Sequence, residues 1–265
     1  MTDTPPQPNL RILGIMIALP WLGLTPELHA APSGWLNDTG QTHCLNTAGT
    51  ALESCSAANT GNAGPNPAQD GRYGRDPAAA NPGASGFSKP AGSGGSGGFA
   101  FIPLDASGTP ITLTGTPPVP SATPRCIQDT VTNLIWEVKT TSGLQNQANT
   151  YGWGSNNIGT CAGGSGCSSD AYIADVNALN LCGETANDWR LPTLPELLSI
   201  VDHDRASGAM IDTDYFPNTQ TPNYWSANAL ASSPNSNAWY VSFSSGIAYV
   251  FGSVGYYVRL VRSGQ

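Results

Sequence analysis

The residues able to do chemistry are few. His203 stands between Asp202 and Asp204 in "VDHDR", and Asp212 and Asp214 follow closely. A histidine flanked by carboxylates has the makings of a general base, and four neighbouring carboxylates offer oxygens to Ca²⁺. The stretch lacks the ligand spacing and turn glycine of a calcium loop. It reads instead as a polar loop of Asp turns, with His203 at a solvated helix end. No G-x-S-x-G, H-E-x-x-H or phosphate loop occurs. The expectation is a protein that is not an enzyme, with no catalytic residue, no metal and no cofactor.

Six cysteines, Cys44, Cys55, Cys126, Cys161, Cys167 and Cys182, form the second chemical set. An even count in an exported chain favours disulfides. Proximity pairs Cys44 with Cys55 and Cys161 with Cys167, which leaves Cys126 for Cys182. No C-x-x-C spacing supports zinc.

The third set is "WYVSFSSGIAYVFGSVGYYVRLVR" (239–262). Trp239, Val241 and Phe243 alternate like the buried face of a strand. Ser244, Ser245 and Gly246 read as a turn, and 247–256 keeps no clean alternation. A core would leave several of its large residues in water. A surface would make a patch rich in Tyr and Ser, the composition of a paratope, and exposed aromatic patches mark binding sites. The candidate ligand-binding residues are Tyr240, Ser242, Ser244, Ser245, Ile247, Tyr249, Phe251, Ser253, Val254 and Tyr256, with Tyr224 or Asn228 at the rim.

The elements that must position these groups occupy the second half of the chain. "RILGIMIALPWLGL" (11–24) is an apolar run behind Arg11, too short for the roughly 20 residues of a membrane span. With small residues near Ala30 or Ala31 it has the pattern of a signal peptide over 1–30. The expected location is therefore periplasmic, cell-surface or secreted, and the cleaved chain is not an integral membrane protein. Residues 31–76 are a polar leader region containing two of the cysteines. Residues 77–124 are a Gly/Pro/Ser-rich linker with short strands, and 125–265 is the main domain. In that domain "LIWEVK" (134–139) reads as a strand. "SSDAYIADVNALN" (168–180) reads as a helix capped by Ser168 or Ser169, with Tyr172, Ile173, Val176 and Leu179 on one face. "TLPELLSIV" (193–201) starts a second helix with the capping-box pair Thr193 and Glu196. "YWSA" (224–227) and two or three segments within 238–262 are strands. The fold class is α+β: two helices on a small, mostly antiparallel sheet, loop-rich and disulfide-stabilised. Trp136, Trp189, Trp225 and Trp239 are expected in the core. Arg190, Arg259 and Arg262 are expected to find carboxylate or carbonyl partners, with Asp188, Glu137 and Glu196 as candidates.

The chain carries 31 glycines, 22 prolines and only 11% charged residues, with a net charge of −8. That balance opposes nucleic acid and other polyanions as partners.

"CIQDTVTNLIWEVK", "NDWRLPTLPELLSIVD", "IDTDYFPNTQTPNYWSA" and "AWYVSFSSG…YYVRLVR" occur in this order. Together they resemble the C-terminal domain family named after the Lcl collagen-like adhesin, over 125–265. "WRLPT" followed by a helix is also similar to the formylglycine-generating-enzyme type of C-type-lectin-like fold. The similarity implies a fold and not an activity, and no residue here matches the reactive cysteine pair of those enzymes. Many family members have Cys in the middle of "VRxVR", where this chain has Leu260, so a disulfide through that position is not carried over. C-type-lectin-like domains, some of this Lcl type among them, are targets of diversity-generating retroelements that mutate adenines near the gene's 3′ end. The resemblance therefore implies an exported ligand-binding protein whose C-terminal surface is variable. The ten candidate residues all belong to the set reachable from AAY codons. Trp239, Phe243, Val258, Arg259 and Arg262 would be the constant frame. The implied partner is an unknown protein or glycan on another cell, phage or surface. A fixed-specificity adhesin or a structural surface protein is the alternative.

Overall fold

The structure is a computed structural model. It describes residues 91–264 apart from 184, 186 and 235, and the backbone of two short strands at 43–45 and 52–54. The elements run in order β1 (His43–Leu45), β2 (Leu52–Ser54), β3 (Phe101–Leu104), β4 (Leu113–Thr114), β5 (Val119–Pro120), β6 (Cys126–Asp129), β7 (Leu134–Glu137) and β8 (Tyr151–Gly152). Helices α1 (Ser169–Asn177) and α2 (Leu194–Leu198) follow. Then come β9 (Asn223–Ala229), β10 (Asn237–Ser242), β11 (Ile247–Gly252), β12 (Gly255–Tyr256) and β13 (Val261–Ser263). Among the described residues this is the expected α+β class, with two α-helices and antiparallel sheets.

Two sheets dominate, of order β13-β7-β6-β3 and β11-β10-β9. Every strand pairing in them is antiparallel. The strands β6, β7, β9, β10 and β13 feed two separate cores. Ile127, Trp136, Tyr224, Val241 and Val261 enter a core that also holds Leu197 of α2, Phe216 and Phe243. Their neighbours Cys126, Ile135, Trp225 and Leu260 enter a second core with Tyr151, Tyr172 of α1 and Trp189. Alternating side chains point to opposite faces of a strand, so a strand between two cores is buried at every position. This is why β7 is buried throughout.

The folded unit extends N-terminally of residue 125, into the segment read as a linker with short strands. β3 pairs with β6 from Phe101↔Asp129 to Leu104↔Cys126, and Phe99 and Phe101 lie in the first core. The main chain of Ser96 donates to Asp212 (2.7 Å) and its hydroxyl to Asp202 (2.9 Å). Two carboxylates of the candidate calcium loop thus hold the 94–99 turn.

Burial on both faces forces β7 to place Glu137 in an apolar interior. Its Oε1 accepts from Lys139 Nζ (2.9 Å), Gln145 Nε2 (3.1 Å) and the Tyr172 hydroxyl, and Oε2 accepts from the Leu260 amide (2.9 Å). Lys139 also donates to the Tyr172 hydroxyl (2.7 Å). Burial pushes the Lys139 ammonium pKa down, and Glu137 opposes that shift. Leaving one member of such a buried pair alone costs about 3–5 kcal/mol.

The arginines find carboxylate and carbonyl partners, as expected. Arg190 forms a bidentate pair with Glu196, both bonds 2.7 Å. Burial raises the Glu196 pKa, but the bonds from Arg190 and Thr193 outweigh it and hold the carboxyl below its usual value. Arg259 bonds the main-chain oxygen of Glu137, not its carboxylate, and the Thr219 hydroxyl (2.7 Å). Lys139 already occupies that carboxylate, and the Arg259 guanidinium lies over the Phe216 ring instead. Arg262 bonds the Cys182 carbonyl (3.2 Å) and lies over Trp189.

α1 is capped by Ser168 and α2 by Thr193, whose capping box with Glu196 is complete. α1 ends at Asn177, so Leu179 leaves the expected apolar face and is 52% exposed. Trp239 is only half-buried. The β9–β10 register shifts beside it, between Ala238 and Tyr240, and Ala238 packs into the second core. Cys126–Cys182 and Cys161–Cys167 are bonded. The expected Cys44–Cys55 pair lies outside the described residues, as do the signal peptide and most of the leader region.

The sequence separations of the two bridges, 56 and 6, rank their contributions. Loop-closure entropy assigns about 4 kcal/mol to the longer and about 2 kcal/mol to the shorter. Thermal melts of Cys126→Ser/Cys182→Ser and Cys161→Ser/Cys167→Ser should show the larger loss in the first pair. Buried tyrosines set a second expectation. Desolvation raises the pKa values of Tyr151, Tyr172 and Tyr215, and pushes Tyr224 up to about 12. A group whose pKa is raised on folding keeps its full contribution below its unfolded value, about 10 for Tyr. The contribution is lost as pH climbs through the folded values. The melting temperature should therefore fall steeply above about pH 10, and Tyr224→Phe should make the fall shallower.

Candidate functional site

The 239–256 stretch is a hairpin with one open face. β10 and β11 pair in register from Asn237↔Gly252 to Ser242↔Ile247, closed by a turn over 243–246. Gly246 adopts φ +66° at the tight end of that turn. A Cβ there would fall 2.7 Å from the His203 ring. β11 alternates cleanly, contrary to the sequence reading. Ile247, Tyr249 and Phe251 are 51%, 45% and 50% exposed, while Ala248 packs on the first core and Val250 is half-buried. The reason is position. β11 ends the sheet, so its outward residues project beyond the second core that covers the same face of β9 and β10. Large apolar residues on the exposed face disguised the period of two.

Directly paired residues share a face, which places Tyr249 beside Tyr240 and Ile247 beside Ser242. A line of rings runs outward from the core. Trp225 contacts Tyr256 (4.6 Å between centroids), Tyr256 contacts Tyr240 (4.7 Å) and Tyr240 contacts Tyr249 (5.7 Å). Trp225 is fully buried and Tyr249 nearly half exposed, so the exposed ring is propped by a buried one. Partial burial, and then the neighbouring Tyr256, raise the pKa of Tyr240 and keep its hydroxyl neutral. The patch offers rings and hydroxyls and no charge.

Ser244 and Ser253 are exposed, and Ser245, Val254 and Tyr256 are half-buried. Ser242 is different: it is buried, and its hydroxyl bonds that of Ser244 (2.8 Å). Of the two expected rim residues, Tyr224 is fully buried in the first core. Asn228 is exposed, and its Oδ1 accepts from the Leu194 amide (2.7 Å) at the start of α2. The frame residues Phe243, Val258, Arg259 and Arg262 are buried.

His203 is exposed at the hairpin turn, while Asp202 points inward to Ser96. The four aspartates do not converge. Asp202 and Asp212 are buried with pKa values raised by desolvation. They also cap their own turns, accepting from the Asp204 and Asp214 amides. Among the described residues no three His, Cys, Asp or Glu side chains gather as metal ligands. Among the same residues no helix is long and apolar enough to cross a membrane.

One feature escaped sequence reasoning. A groove of about 740 Å³ lies between α1, the 153–156 turn and the 190–193 segment, with Trp153, Asp170, Ile173, Arg190 and Ala227 in its wall. Trp153 is half-buried, and its indole N–H bonds the Ser226 carbonyl (2.9 Å). Only the "YGWG" turn hinted at it, and a single Trp near glycines is a weak signal.

No curated protein and no solved structure matches the chain. The Lcl C-terminal domain model matches residues 125–262, a span that contains α1, α2 and every strand from β6 to β12 and ends within β13. The chain belongs to the Lcl C-terminal domain family.

Proposed function

We propose that this is an exported ligand-binding protein whose binding surface is the outer face of the β10–β11 hairpin with Ser253, Val254 and Tyr256. The observation that carries the reading is the side-by-side exposure of Ile247, Tyr249 and Phe251. Large apolar residues grouped on a surface strand are a partner's footprint more than a folding requirement. The tyrosines beside them supply amphipathic contact area at low entropic cost. The partner is a protein or glycan on another cell, phage or surface.

The finer reading is a C-type-lectin-like scaffold with a C-terminal surface diversified by a retroelement. Its support is a division of labour. Nine of the ten candidate residues reach solvent, whereas four of the five frame residues, Phe243, Val258, Arg259 and Arg262, fill the interior and Trp239 is half-buried, so the first set can change while the second holds the fold. Ser242, buried against Ser244, favours the second reading, an adhesin of fixed specificity using the same face.

Sequencing the part of the gene that encodes 230–265 from many cells separates the two. Substitutions clustered in the codons for 240–256, at positions where a neighbouring near-copy carries adenine, are the expected result. A stretch constant across cells would sink diversification and leave the fixed adhesin.

The binding reading itself is tested with Ile247→Ala, Tyr249→Ala and Phe251→Ala. Each substitution at an exposed site should change stability by only about 0.5 kcal/mol. Each hot spot among them should cost about 2 kcal/mol of binding, read with labelled protein on whole cells and on glycan and protein arrays. Unchanged binding by the triple variant would place the ligand elsewhere.

A further inference from the structure

The face of β11 is the proposed ligand surface; its edge is a separate feature. β11 ends the β11-β10-β9 sheet. Among the described residues, no backbone hydrogen bond other than its pairing with β10 involves 247–252. An open edge invites another strand, and proteins guard such edges with charge, proline or a bulge. "IAYVFG" contains no charged residue and no proline. Its pairing with β10 runs through six consecutive pairs without a register shift.

The charge pattern says what kind of strand fits. From Tyr215 to Val258 the chain has no Asp, Glu, Lys, Arg or His, in a protein of net charge −8. Two copies of an acidic protein repel over most of their surfaces, and this neutral hairpin is where they can meet without that cost. The strand is also complementary to itself. Laid antiparallel about a two-fold axis through Tyr249, it sets Tyr249 opposite its own copy and Ile247 opposite Phe251. Every large exposed side chain then meets another on the same face. A two-fold contact uses the same patch on both partners and closes at the dimer.

We propose that the β11 edge pairs with β11 of a second copy of this chain, joining two three-stranded sheets into one of six strands. The tyrosine-rich faces of the two copies become contiguous, so the dimer presents a doubled, bivalent surface. Main-chain hydrogen bonds supply the pairing, and it survives neutral side-chain changes at the exposed positions.

The test is mass by light scattering on the full chain across a concentration series. The expected result is a doubling of mass as concentration rises. Tyr249→Lys and Tyr249→Glu each place like charges opposite one another and should stay monomeric. An equimolar mixture of the two should recover the dimer, because Lys then faces Glu. Ser244→Lys, in the turn and off the edge, should dimerise normally. The double variant Ile247→Lys/Phe251→Glu, in which each Lys faces a Glu of the other copy, should also dimerise, and it serves if the Tyr249 variants misfold. A wild-type monomer at every concentration, a dimer indifferent to charge at 249, or higher oligomers would each overturn the proposal. Ligand capture plays no part in this measurement, so its failure and that of the binding reading are told apart.

Discussion

A carboxylate removed from water dominates this fold. Glu137 lies on a strand with a core against each face, and no solvent reaches it. Its partners are near and far in the chain: Lys139 and Gln145 close by, Tyr172 from the first helix and the Leu260 amide from the segment before β13. A buried charge is tolerated only when its lone pairs are taken up. Satisfying Glu137 therefore brings strand, helix and C-terminus to fixed positions. The two cores pack around that junction, and the hairpin hangs from them through Trp225 and Val241.

The proposed binding surface follows from this rigidity. A side chain offered to a partner loses less freedom on binding when its base is already held. Tyr249 is held by Tyr240, and Tyr240 by Tyr256 over the buried Trp225. Ile247, Tyr249 and Phe251 stand on a strand rather than a free loop, which fixes their relative geometry.

Much of this was legible in the residues. The capping box at Thr193 and Glu196 and the cap at Ser168 were visible because those bonds are local in sequence. The pairs Cys126–Cys182 and Cys161–Cys167 emerged from proximity and remainder. The failures share a physical cause, which is that burial is decided by distant neighbours. Trp239 alternates with Val241 like core, but it stands where the β9–β10 register breaks and stays half-buried. Leu179 kept helical spacing beyond the point where the helix stops. β11 hid its alternation because its outward face carries large apolar residues where water normally dictates polar ones. The role of 99–104 as an integral strand was masked by the low-complexity sequence before it.

The last strand has a consequence for biosynthesis. Val258, Leu260 and Val261 divide between both cores, and Arg259 reaches back across 122 residues to the main chain of Glu137. Contacts that span so much sequence form late, because their loop-closure entropy must be met before they add stability. Neither core is complete until residues 258–261 have left the ribosome, so a chain interrupted before them would lack both finished interiors.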